Sequence, residues 1–376
     1  MLPRIRVLAC VITALVSLHA QAATDAYIAS PEDGLVSHYR LDDKTGALRL
    51  LTQTPAGSQV GPLALSPDGQ TLYAALRSKP YTVKSYHVDR ATGVLQAAAQ
   101  APLADSLAYL AVDRSGRWLL GASYGGDLLS TQPLDGQGQP GSAIRITGTG
   151  PHAHSIRTDP SNRFAYAGNL GNDHLLQYRF ADGVLTPIGQ GFVQLPAGAG
   201  PRHLAFSKDG RFVYVVGEMS GTVTGFAIDP ESGALSQVDS ASGIPASLDL
   251  APGLVRDASN HNLEGDPTRR IWAADLRLSP DGKLLVMSER TSSSVSAFQV
   301  DAANGHLKFL GNHLVQEQQP RNLAFSPDGR WLLVTGEKSA TVGSYLVDAG
   351  GSLRRVSEAP SGKGALWIEI GQSGSN

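Results

Sequence analysis

Short apolar stretches joined by polar turns fill the chain, and one turn recurs. Residues 63–65 and 71–73 flank Ser66-Pro67-Asp68-Gly69, and residues 204–206 and 212–214 flank Ser207-Lys208-Asp209-Gly210. The turn returns at Ser279-Pro280-Asp281-Gly282 and Ser326-Pro327-Asp328-Gly329, with weaker copies at Asp113-Arg114-Ser115-Gly116 and Asp159-Pro160-Ser161-Asn162. Proline presets φ at one corner and Gly or Asn tolerates a positive φ at another, so each copy reads as a tight hairpin. Aligned on Asp68, Ser115, Ser161, Asp209, Asp281 and Asp328, the copies are 47, 46, 48, 72 and 47 residues apart.

A second hairpin follows each turn. Its first strand alternates polar and apolar residues, as in 83–88 and 223–228, and its last opens on Leu95, Leu235, Leu307 or Leu353. Alternation bounded by Gly- and Asp-rich turns marks a half-buried strand. Four strands per repeat of about 40 to 50 residues predict an all-β, seven-bladed β-propeller of four antiparallel strands per blade. The N-terminus enters mid-blade, with residues 27–30 as a second strand and 36–41 as a third. Residues 366–370 form an orphan strand, expected to close the ring as the inner strand of that first blade. The long step comes from residues 244–270, an insertion between a fourth strand and the next first strand, expected on the face that carries any pocket and readable as either a lid or decoration.

Composition narrows the setting. Arg4 and Arg6, an apolar run over residues 7–18 and Ala20-Gln21-Ala22 make residues 1–22 a signal peptide, cleaved before Ala23. Residues 23–376 then form a single exported domain, expected in the periplasm and free of the membrane after cleavage. The only cysteine is Cys10, inside that leader, so disulfides and thiol chemistry are excluded from the mature chain. A net charge of −2 and the lack of a basic run argue against nucleic-acid binding.

Two registers point toward one end of the central channel. Seven places before the aligned turn position stand Gly61, Ala108, His154, Arg202, Ala274 and Arg321; nine places after it stand Arg77, Tyr124, Leu170, Glu218, Arg290 and Glu337. Small residues would suffice for packing there. The polar set reads either as a salt-bridged rim or as a ligand pocket with convergent polar groups.

Gly150-Pro151-His152-Ala153-His154, the following Asn169–Asp173 loop, Gly200-Pro201-Arg202-His203, Gly217-Glu218 and Ser288-Glu289-Arg290 resemble the marks of the seven-bladed lactonases, which include bacterial 6-phosphogluconolactonases and fungal carboxymuconate cyclases. The resemblance spans nearly the whole mature chain and is strongest toward a periplasmic gluconolactonase. It implies a catalytic set of His154, Arg202, Glu218 and Arg290, with His152, Asn169, Asp173, His203, Arg321 and Arg77 binding substrate, and no cofactor. Three positions depart from the family pattern: Asn169 for Asp, Gly217 for Asn, and Glu289 for Asn. Glu289 is expected to place a carboxylate beside Arg290 and alter charge preference.

Other motifs carry less. Gly121-Ala122-Ser123-Tyr124-Gly125 matches a nucleophile elbow, but the elbow needs a strand running into a helix. His152 and His154 have no evident third metal ligand, so no metal is expected. The recurring Asp68, Asp209, Asp281 and Asp328 read as caps of their own turns on the far face. The leading expectation is hydrolysis of D-glucono-1,5-lactone to gluconate, with a small-molecule sugar lactone as partner and the oligomeric state open. A 6-phosphogluconolactonase or muconate-type enzyme, a non-catalytic binding propeller and a quinone-carrying redox propeller remain as alternatives.

Overall fold

The computed structural model describes residues 23–256 and 266–374; the expected leader and the tip of the insertion lie outside them. The described residues form seven four-stranded antiparallel sheets, the blades of a propeller. The inner strands, in ring order, are Trp367–Ser373, Val60–Leu65, Tyr109–Val112, Ala153–Thr158, Pro201–Phe206, Ala273–Leu278 and Pro320–Phe325, each beside the next. Trp367–Ser373 pairs antiparallel with Ala23–Ser30, Ile28 opposite Ile368, and so completes the N-terminal blade. The closure expected from the sequence is therefore present.

The turns form as their residues dictate. Gly69, Gly210, Gly282 and Gly329 all have φ between 70° and 75°. The Asp68 carboxylate accepts from the Ser66 hydroxyl at 2.6 Å and the Gln70 amide at 3.0 Å, while Ser66 Oγ accepts from the Thr71 amide at 2.9 Å. Asp209, Asp281 and Asp328 repeat this pattern. In the two weaker copies Asp113 and Asp159 stand at the Ser position and accept directly from two amides, Asp113 from Arg117 and Trp118, Asp159 from Arg163 and Phe164.

Apolar residues pack between neighbouring blades. One cluster joins Phe212, Tyr214 and Val216 of the blade that begins at Pro201 to Leu276, Leu285, Met287 and Phe298 of the following blade. Tyrosines of the second strands add a hydrogen bond across three such seams. Tyr27, Tyr73 and Tyr166 donate their hydroxyls to the carbonyls of Gly93, Gly138 and Gly233 in the next blade, at 2.6 to 2.7 Å. Their rings lie buried with an internal partner for the polar end, as buried tyrosines require.

The inner strands carry one further feature. Register shifts interrupt their pairing between Val60 and Leu63, Ala153 and Ser155, Pro201 and Leu204, Ala273 and Leu276, and Pro320 and Asn322. These β-bulges fall on Gly61, His154, Arg202, Ala274 and Arg321, the residues seven places before the turn. A bulge bends the strand and re-aims its side chains.

Deleting residues 366–376 removes the inner strand of the first blade and leaves Ala23–Ser30 as an unpaired edge. The truncated protein is expected to lose its cooperative thermal transition in circular dichroism; a melting temperature equal to that of the full chain would refute the closure role.

Candidate active site

The bulges gather the charged residues at one end of the channel. Arg202 and Arg290 are fully buried, and both donate to one oxygen of the buried Glu218. Arg202 Nε lies 2.6 Å and Arg290 Nη2 2.8 Å from Glu218 Oε2. Further donors of both guanidiniums are anchored by carbonyls at the Ala273–Leu276 bulge, Arg202 Nη1 on Ala274 at 2.6 Å and Arg290 Nη2 on Ala273 at 3.2 Å. Arg290 Nε also donates to the Trp272 carbonyl at 3.1 Å. Carbonyls displaced from the ladder thus hold the cations in place. Burial raises the Glu218 carboxyl, but the Arg290 and Arg202 charges outweigh it and hold the group below its ordinary value. No hydrogen bond from these arginines falls on Arg202 Nη2 or Arg290 Nη1 among the described residues.

His203 fixes Arg202 from behind. Its Nδ1 lies 2.7 Å from Asp275 Oδ1 and its Nε2 3.1 Å from Arg202 Nη1. The tautomer satisfying both donates from Nδ1 to Asp275 and accepts at Nε2. Burial, followed by the Arg202 charge, lowers the His203 pKa to about 3, so the ring is neutral and able to accept. Asp275 in turn accepts from Arg277 Nε at 2.8 Å and from the Leu323 amide at 2.9 Å. His203 is therefore a positioning residue, whereas the sequence placed it among the substrate-binding groups. Asp275, absent from the sequence-based set, shares its register six places before the turn; comparing that register across repeats was the available signal.

His154 stands in the preceding bulge, its ring 5.3 Å from His203 and 5.8 Å from Tyr124. It is buried, and its Nδ1 has no hydrogen-bond partner among the described residues. Burial and the neighbouring Arg202 keep it neutral, with a pKa well below 6.5. His152 lies outside the strand with φ of 66°, stacked on Tyr124 at 4.2 Å. The left-handed residue separates the directions of the two histidines, which a regular strand would align.

The other sequence-predicted residues divide. Arg321 Nη1 pairs with Glu337 at 3.0 Å on the same rim. Arg77 crosses Gly61, where a Cβ would sit 2.6 Å from Arg77 Cδ, and its pKa is lowered by burial and by the Arg321 charge. Asn169 is buried; its Nδ2 donates to Pro151 O and Asn172 Oδ1, and its Oδ1 has no partner among the described residues. Asp173 turns both oxygens to backbone, accepting from Gly198 at 2.8 Å and Gly200 at 2.7 Å, and so ties down the loop that leads into Arg202. Glu289, expected to set a carboxylate beside Arg290, spends its oxygens on other groups. Its carboxylate accepts from the Trp272 and Thr291 amides and from the Ser292 amide and hydroxyl, which consume it in a local turn.

The described part of the insertion reaches this end, as expected. Gly253 N donates to Met219 O at 2.8 Å, next to Glu218, and the Tyr124 hydroxyl donates to Arg256 O at 3.1 Å. The Arg256 and Arg290 guanidinium carbons stand 3.7 and 3.8 Å from the Trp272 ring centre. Trp272 and Arg256 were not legible as site residues, because nothing in the sequence says where a long loop lands.

Glu218→Gln leaves two buried guanidiniums without a counter-charge, so it is expected to cost about 3 kcal/mol in urea unfolding. Asp209→Asn, in an exposed turn where an amide oxygen can still accept, is expected to change stability by less than about 0.5 kcal/mol. Equal unfolding midpoints for the two variants would refute the clamp.

A family model described as "Lactonase, 7-bladed beta-propeller" matches residues 25–370. A 6-phosphogluconolactonase of Serratia proteamaculans is 35% identical over 348 residues, covering 92% of this chain and 98% of that relative. One from Yersinia pestis is 32% identical over 346 residues, covering 92% and 97%. The solved structure of the Pseudomonas aeruginosa periplasmic gluconolactonase superposes with a TM-score of 0.79 at 26% identity, covering 93% of this chain and 99% of that one. With the propeller, its closure and the Glu218 clamp in place, the chain belongs to the seven-bladed β-propeller lactonases and is a lactone-hydrolysing enzyme.

Proposed function

We propose that this lactonase hydrolyses D-glucono-1,5-lactone to gluconate in the periplasm. The observation that carries the chemistry is the buried Glu218 carboxylate held between Arg202 and Arg290. Opening the ring requires water to lose a proton as the carbonyl oxygen gains charge. Glu218, ionised by its two cations, orients the water and accepts its proton. The outward donors of Arg202 and Arg290 stabilise the oxygen as charge develops. His154 is neutral. The tautomer with its proton on Nε2 leaves only an acceptor unpaired at the buried Nδ1, and Nε2–H then donates a hydrogen bond to a substrate oxygen, while the ring oxygen leaves with the proton that Glu218 took from the water. The leader of residues 1–22 and the likeness to a periplasmic gluconolactonase support the compartment and the substrate.

A second reading, 6-phosphogluconolactone, is favoured by the names of the sequence relatives and by Arg77 and Arg321 at the rim. Stopped assays with fresh lactones separate the two. Faster turnover of the unphosphorylated lactone supports the first, and a preference for the phosphorylated one overturns it. Fractionation should recover a mature protein beginning at Ala23 from the periplasm; a cytoplasmic chain retaining residues 1–22 would refute the location.

Glu218→Gln is expected to lower kcat by about 10²- to 10⁴-fold, and Arg202→Lys, which loses the forked donor, by about 10²-fold. Both are to be read on protein with wild-type circular dichroism at the assay temperature; wild-type rates would refute the assignment. The pH profile follows from the shifts. Activity requires ionised Glu218, so it is present above that lowered pKa and lost only as pH falls through it, below 4.5. Burial and the Arg202 charge hold the His154 pKa well below 6.5, so no limb near that ordinary value is expected. A limb near 6.5 that disappears in His154→Gln would overturn its role as a neutral donor.

A further inference from the structure

The channel has a second end. A cavity of about 140 Å³ on the face of the Ser-Pro-Asp-Gly turns is lined by Arg114, Arg157, Arg277, Tyr109 and Glu369, with small apolar residues between them. Its floor is aromatic. Tyr109 meets the His203 ring at 5.0 Å and the Trp367 indole at 5.2 Å, both edge-on, and these rings separate the cavity from the Glu218 clamp.

The register makes the arginines conspicuous. Four places before the aligned turn position stand Ala64, Ala111, Arg157, Ala205, Arg277 and Ala324. Alanine satisfies packing in four of the six inner strands that precede an aligned turn, so two arginines there need another reason. Arg114 comes from a turn and adds a third guanidinium. Their internal bonds are few. Arg277 binds Asp275 at 2.8 Å and Asn322 at 3.4 Å, Arg157 reaches the Leu204 carbonyl at 3.3 Å, and the Arg114 side chain has no hydrogen bond or ion pair among the described residues. Most of the N–H donors are therefore unspent.

Counter-charge is short on the lining. Asp275 faces Arg277 from beneath the floor. Asp159, near Arg114, uses its oxygens on the amides of Ser161, Arg163 and Phe164. Among the described residues Glu369 is the only carboxylate lining the cavity, and its Oε1 accepts from Trp367 Nε1 at 2.9 Å. Burial raises its pKa, which weakens it as a partner for the arginines.

We propose that this far end of the channel is a binding site for a small, multiply charged oxyanion of the phosphate class, held by Arg114, Arg157 and Arg277. Guanidiniums match such an anion with paired donors, and the cavity admits a free phosphate or the phosphate of a small monoester. The Tyr109 hydroxyl, which makes no hydrogen bond among the described residues, is a further donor. The site is separate from the lactone chemistry, and its test is read without lactone.

Calorimetric titration with inorganic phosphate at fixed ionic strength tests it, using wild type, the Arg114→Gln/Arg157→Gln double variant and Arg321→Gln at the opposite rim. The wild type is expected to bind phosphate, the double variant to bind about tenfold or more weakly, and Arg321→Gln to bind as wild type. Arg114 makes no internal bond and Arg157 only one, so the double variant is expected to keep the wild-type melting temperature. No binding by the wild type, or binding weakened by Arg321→Gln and not by the double variant, overturns the proposal.

Discussion

The pairing of Trp367–Ser373 with Ala23–Ser30 is the constraint on which the molecule depends. Without that pairing the first blade has three strands and an uncovered inner edge, a template for unwanted pairing. By lending its last strand to its first blade, the chain covers that edge and makes ring closure a condition of native structure. Loop closure over nearly the whole sequence carries an entropy cost, but that cost grows only slowly with length. Burial between every pair of neighbouring blades, and the tyrosine hydroxyls bridging three of the seams, offset it.

Closure also creates the low-dielectric channel in which the charges operate. Buried ions lose hydration, and a close pair regains that loss only with good geometry and additional hydrogen bonds. Arg202 and Arg290 meet these conditions by sharing Glu218 and by donating to carbonyls released at a bulge. His203 and Asp275 extend the same arrangement one step deeper. The carboxylate can stay charged in a buried place because each neighbour is itself held.

Much of this was legible in the sequence. The recurring turn, the mid-blade start and the orphan strand at the C-terminus together imply the blade count, because hairpin chemistry is local and each copy carries its own capping residues. The register seven places before the turn likewise found Arg202 and His154. Partners across blades were harder to read. Asp275 is 72 residues from His203, and no local pattern pairs them. Glu289 illustrates the converse. Adjacency to Arg290 suggested a carboxylate that alters charge preference, yet the amides of its own turn take both oxygens. The partners of Asp173 are backbone groups that a side-chain motif does not reveal. Trp272 and Arg256 depend on where the insertion lies, which only the folded chain decides.

The bulges have a consequence for how the chain divides its tasks. At Gly61, His154, Arg202, Ala274 and Arg321 the residue sits where the ladder register shifts, so strand pairing does not read its identity. The turns seven residues later are nearly uniform, because a hairpin accepts few residues. Structure is thus written at one position of the repeat and chemistry at another. A histidine, an arginine, an alanine or a glycine can occupy the second position without disturbing the first, so one scaffold can carry a different reactive group on each of several blades.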